Sequence, residues 1–129
     1  MSVGEVLDKI TILEIKLENI TDAAKLANVE TELVHLRPLV SDKMFLTDHM
    51  VDLIDQLKSI NKALWVIEDD IRIEESKGDF GPRFIELARA VYVTNDQRAN
   101  IKKLINVATG STIVEEKSYE DYSREGPVS

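Results

Sequence analysis

Met50, Leu53, Leu57, Ile60, Leu64, Ile67 and Ile71 recur at alternating three- and four-residue steps. That spacing lays a single apolar stripe along an α-helix, whereas on a strand it would scatter the same groups over both faces. A helix of that length reaches roughly 40 Å, so the chain must fold around one long rod. The same periodicity appears upstream in Val3, Val6, Ile10, Leu13, Leu17 and Ile20. Ser2-Val3-Gly4-Glu5 precedes it as a capping box, in which a hydroxyl and a carboxylate each satisfy a helix-terminal N–H. Ile12 and Ile15 fall off this stripe and predict a first helix buried on more than one side.

Thr21 or Asp22 can cap a second helix with Leu26, Val29, Leu33 and Leu36 on its face, ended by Pro38. The connection Ser41 to Thr47 carries Met44-Phe45-Leu46, which needs cover. The long third helix stops at Lys77-Gly78-Asp79-Phe80-Gly81, and Pro82 opens a fourth that runs to about Ala108 with Phe84, Leu87, Val91, Ile101 and Ile105 on its face. The predicted fold is all-α: an antiparallel helical bundle of two unequal helical hairpins with an extended C-terminal tail. Residues 1–110 form the bundle domain. Residues 111–129 form a tail, partly docked as a strap over the hairpin and frayed at its end.

At 129 residues, 43% of them hydrophobic and 31% charged, one globular domain is expected. No apolar run is long enough to span a membrane, and the N-terminus lacks the basic and apolar regions of a secretory signal. The absence of Cys removes disulfides and Cys-based zinc sites and fits a cytoplasmic protein. A net charge of −8 disfavours nucleic acid and anionic membrane surfaces as partners.

Residues 41–80 hold 5 Lys+Arg against 10 Asp+Glu, while residues 81–110 hold five bases against Glu86 and Asp96. This contrast predicts an acidic third helix paired with a basic fourth, with Arg72 near Glu86, Glu68 near Arg89, and Asn61 near Asn95 and Arg98. Because the first two helices are much shorter than the last two, the long hairpin needs further cover from the tail, a second copy or a partner. A homodimer is the leading expectation.

The densest polar signal is Asn61, Trp65, Glu68, Asp69 and Arg72 on the third helix, facing Arg89, Tyr92, Asn95 and Arg98 on the fourth. These residues are the candidate ligand-binding set, for an anionic or sugar-like molecule. A buried network that fixes helix register is the competing reading. On the first helix Asp8, Thr11, Glu14 and Glu18 read as a solvated edge, with a polar wall facing the third helix as the alternative. No catalytic residue is identified. No metal is expected: there is no Glu-x-x-Glu, and Glu68-Asp69-Asp70 fan around the helix instead of converging. Glu32-x-x-His35 lacks the second copy a di-iron site requires. No cofactor motif, nucleophile elbow or glycine-rich phosphate loop occurs.

Several strings, among them Ser2-Val3-Gly4-Glu5, Asp8-Lys9-Ile10-Thr11-Ile12-Leu13-Glu14-Ile15-Lys16, Ala63-Leu64-Trp65, Ile67-Glu68-Asp69-Asp70-Ile71-Arg72, Asp79-Phe80-Gly81 and Ile113-Val114-Glu115-Glu116-Lys117-Ser118-Tyr119, together resemble the uncharacterised family "domain of unknown function 6165" of bacteria and their phages. The Asn61 to Arg72 segment with Asn95 and Arg98 is also similar to a second uncharacterised helical family associated with surface-polysaccharide assembly. Neither resemblance implies an activity; both imply that the polar cluster is a pocket. The expected function is therefore that of a small accessory or ligand-binding protein. An enzyme acting on a phosphorylated or sugar-nucleotide substrate is the alternative, with Glu68 or Asp69 as base or magnesium ligand and Arg89 or Arg98 on the phosphate. A purely structural scaffold is the third reading.

Overall fold

The computed structural model describes residues 1–40 and 47–110. The Met44-Phe45-Leu46 segment and the tail from Ser111 lie outside the described residues. Four helices follow in order: α1 Val3–Asn19, α2 Ala23–Leu36, α3 Asp48–Ser76 and α4 Pro82–Ala108, with a 3-10 turn Arg37–Leu39 after α2. Among the described residues there is no strand, and none of the helices is long and apolar enough to cross a membrane.

Local chemistry sets the boundaries. The Ser2 hydroxyl accepts from Glu5 N at 3.2 Å, Asp22 caps α2 by accepting from Ala24 N and Lys25 N, and Thr47 caps α3 through Met50 N. At the far end of α3, Gly78 adopts φ 69°. Its N–H donates to Glu75 O, and that of Asp79 donates to Glu74 O. This paired closure with a left-handed glycine stops the helix and reverses the chain into Pro82. Phe80 and Phe84 meet edge to face at 5.1 Å across the tip.

The stripe on α3 has a partner of the same period on α4. Phe84, Leu87, Val91, Thr94, Arg98, Ile101 and Ile105 also step by three and four, the spacing of an antiparallel coiled-coil seam. Apolar side chains fill that seam except at Thr94 and Arg98. α1 lies across both arms of this hairpin, and α2 packs mainly on α1. Together Val6, Leu7, Ile10 and Leu13 of α1 and Val29 and Leu33 of α2 close over Leu53, Leu57 and Ile105. Ile15, off the α1 stripe, is buried as well.

At about 43 Å for α3 and about 26 Å for α1, the short helices leave the tip of the hairpin bare. Beyond Leu64, no residue of α3 is fully buried, and before Ile101 only Leu87 and Thr94 are on α4. Val66, Ile73, Ile85, Tyr92 and Val93 are exposed there.

The ion pairs correct the expected charge pairing. Among the described residues, one bridge joins the two long arms, Arg83 to Asp70 at 3.6 Å, and Arg72 pairs with Asp69 on its own helix instead of with Glu86. Four cations of the hairpin go to α1. Lys102 meets Glu5 and Asp8, Arg98 meets Asp8, and Lys58 and Lys62 meet Glu14 and Glu18. The physical reason is position: α1 sits over the hairpin and brings carboxylates down onto both arms, while the residues between the arms are mainly apolar.

Candidate functional site

Asp8 and Thr11 stand one helical turn apart on the face of α1 that meets the hairpin, and both are buried, at 5% and 1% exposure. Opposite them Asn61 projects from α3, also buried. Its amide nitrogen donates to Asp8 Oδ1 and to Thr11 Oγ1, both at 2.9 Å. The Thr11 hydroxyl donates in turn to the Asp8 carbonyl at 2.8 Å. Each hydrogen of the Asn61 amide and the Thr11 hydroxyl thereby finds an acceptor. The solvated-edge reading of Asp8 and Thr11 is thus wrong; they form the polar wall facing α3.

α4 supplies the countercharges. Arg98 Nε lies 3.7 Å from Asp8 Oδ1, and Lys102 Nζ lies 3.9 Å from Asp8 Oδ2 while also pairing with Glu5. Among the described residues two carboxylates meet two cations, so their charges balance, the condition under which charges tolerate a low-dielectric setting. Just below it Gly4 N donates to Asn106 Oδ1 at 2.7 Å. A Cβ at Gly4 would come within 2.6 Å of the Lys102 carbonyl oxygen, so glycine is what lets α1 approach the α4 backbone. Glu5, Lys102, Gly4 and Asn106 were not legible as site residues, although Glu5-x-x-Asp8 is a one-turn carboxylate pair that could have flagged the α1 half.

Above the cluster opens a cleft of about 100 Å³, lined by Ile12, Ile15, Asn61, Leu64, Trp65, Glu68 and Arg98. Isoleucine and leucine form its apolar wall, Trp65 a half-buried aromatic one, and Glu68 an exposed acidic lip. Among the described residues, the terminal guanidinium nitrogens of Arg98 have no hydrogen bond or ion pair, and nothing donates to Asn61 Oδ1. Donors and an acceptor are therefore left over beside the cleft.

Of the nine candidates, the fold gathers Asn61, Trp65, Glu68 and Arg98 and leaves out the rest. Asp69 and Arg72 pair with each other on the outer surface of α3. Arg89, Tyr92 and Asn95 are exposed, Tyr92 at 75%. They lie on the part of α4 that α1 does not reach, so among the described residues no wall stands there to make a pocket. Among the described residues, no three acidic or histidine side chains converge as metal ligands.

An α-helical bundle on one long hairpin, with a neutralised polar cluster beneath a small cleft, is the class of protein that fold and site define. The chain belongs to DUF6165, a family of unknown function whose model matches residues 1–128. No curated protein and no solved structure matches it.

Proposed function

We propose that this chain is a small ligand-binding accessory protein whose cleft takes one oxyanionic or hydroxylated group. The observation that carries this reading is Arg98: its Nε is tethered at Asp8, and among the described residues its terminal nitrogens donate no hydrogen bond, at a cleft walled by Trp65. A tethered guanidinium is a ready fork for a carboxylate or phosphate, while Glu68 and Asn61 Oδ1 offer acceptors to hydroxyls. A sugar acid or sugar phosphate combines both kinds of group, which fits the association with surface-polysaccharide assembly that the sequence resemblance implies.

Size narrows the ligand. A volume of about 100 Å³ equals about three waters, well below the roughly 300–1,000 Å³ of sites that engulf a whole molecule. One end of a ligand enters and the rest stays in solvent. A sugar nucleotide has no enclosure here, and Asp8, the buried carboxylate, is engaged with Asn61 and two cations, so binding without turnover is favoured over the enzymatic reading.

Trp65 is the lone tryptophan, so its fluorescence reports on the cleft directly. Titration of the full chain with inorganic phosphate, glucose and glucose 1-phosphate at millimolar levels is expected to give a saturable change, tightest for glucose 1-phosphate. Arg98→Lys, which keeps the charge and loses the fork, is expected to weaken binding about tenfold. No saturable change with any of the three probes would overturn the reading.

A scaffold role also has an observation in its favour, the closed set of bonds around Asn61. It predicts that Asn61 variants lose stability while none of the probes binds the wild-type chain.

A further inference from the structure

Among the described residues, none covers the side of the hairpin opposite α1. Midway along it runs a groove of about 520 Å³ lined by Asp55, Gln56, Ser59, Ile60, Gln97, Asn100 and Ile101, with no residue of α1 or α2 among them. Ser59 and Asn100 thus stand at one level of the antiparallel arms, as Asn61 and Arg98 do on the other side.

This side has an unusual composition. Gln56, Ser59, Ala63 and Val66 follow one another down α3 between Asp52 and Asp70, and Ala90, Val93, Gln97, Asn100, Leu104 and Val107 step by three and four on α4. None of these ten positions is charged, in a chain that is 31% charged. Val66, Val93, Leu104 and Val107 are well exposed among them. Loss of charge with retention of aliphatic and amide groups marks the core of an interface.

The edges of the same face carry charge in a fixed order. On α3 the exposed Asp55 and Asp69 are both negative, and at the matching levels of α4 the exposed Lys103 and Arg89 are both positive, while Lys62 between them turns to Glu18 of α1. We propose that a second copy of the chain covers this face, related by a two-fold axis parallel to the helices, with α3 of each copy over α4 of the other. Asp55 and Asp69 then oppose Lys103 and Arg89 of the partner subunit, opposite charges at both levels. The other two-fold packing sets α3 over α3 and places Asp55 against Asp69 and Lys103 against Arg89, like charges at both levels. Charge order therefore selects the first arrangement. The cleft beneath Trp65 lies on the opposite side and stays open, so this inference stands apart from the ligand reading.

Sedimentation of the full chain at micromolar concentration is expected to show a dimer, abolished by Val93→Glu. Asp55→Lys is expected to raise the dissociation constant about five- to tenfold, and adding Lys103→Asp to restore it. With no native cysteine in the chain, Ser59→Cys mixed with Asn100→Cys should form an intermolecular disulfide, while Ser59→Cys alone and the α2 control Lys25→Cys should not. Self-linking of Ser59→Cys without the mixed disulfide would overturn the arrangement, and a dimer indifferent to Val93→Glu would place the interface elsewhere and overturn it too. A monomer overturns the proposal outright. If that monomer closes a disulfide between Asn100→Cys and Ser118→Cys within one chain, its own tail is the occupant; if not, the face belongs to a different partner.

Discussion

Asn61 connects two helices far apart in sequence through one amide group. Replacing it with leucine keeps the volume and removes both donors, leaving Asp8 Oδ1 and Thr11 Oγ1 without the bonds they receive at 2.9 Å. Unsatisfied buried acceptors cost about 1–3 kcal/mol each, so Asn61→Leu is expected to lower unfolding free energy by about 2–4 kcal/mol, measured by urea denaturation. Tyr92→Ala, at an exposed position with no hydrogen bond among the described residues, should stay within about 0.5 kcal/mol of wild type. Asn61 was recognisable because it borders the apolar stripe of α3. Asp8 and Thr11 were not, because a polar edge of a helix has the same sequence pattern whether it meets water or another polar group.

At the scale of elements, α1 is held to the hairpin by carboxylates near both its ends. Glu5 and Asp8 go to α4, and Glu14 and Glu18 to α3, with Arg37 adding a bridge to Glu14 at 3.6 Å. The hydrogen bond from Lys58 holds the Glu18 carboxyl below its ordinary value, and the same bond raises Lys58 above its own. A lowered acid stabilises the fold above the ordinary glutamate range and loses that contribution as pH falls through the depressed value. A raised lysine contributes below the ordinary lysine range and loses it as pH rises through the elevated value. The pair therefore acts between those limits. Thermal unfolding of wild type and Glu18→Gln should show a small gap at neutral pH. That gap should close on acidification and shrink with added salt, since both groups are solvent-screened. A gap that widens in acid would exclude this role.

For the whole molecule, unequal helix lengths divide the hairpin into a covered base and a bare tip. Local opening is easiest where few apolar groups are buried. In the monomeric Val93→Glu variant, backbone amides of α3 beyond Leu64 and of α4 before Thr94 are expected to exchange at least about tenfold faster than those flanking Leu57 and Ile105, read by hydrogen exchange with mass spectrometry. Uniformly slow exchange along both arms would mean that the tip is covered in solution. The net charge of −8 also acquires a location. Acids of α1 neutralise cations of the hairpin, and much of the remaining excess lies on α3, whose charged edge residues mirror those of α4.

Sequence alone determined the helices, their caps, the turn at Gly78 and the inequality of the two hairpins. Each of these depends on residues within a few positions of one another: a hydroxyl and the N–H three residues on, a glycine free to take positive φ, an apolar stripe at helical period. It also put Asn61, Trp65, Glu68 and Arg98 in one candidate set, but together with Asp69, Arg72, Arg89, Tyr92 and Asn95, which the fold leaves out. What only the tertiary structure decided was where α1 crosses that hairpin. The crossing buries Asp8 and Thr11, draws Lys102 and Arg98 away from α3, and leaves Arg89, Tyr92 and Asn95 in solvent. Helix periodicity says which side of a rod is apolar; it does not say how far along the rod a shorter helix lies, because that is set by the fit of Gly4 against the α4 backbone and of Leu7 and Leu57 in a shared core.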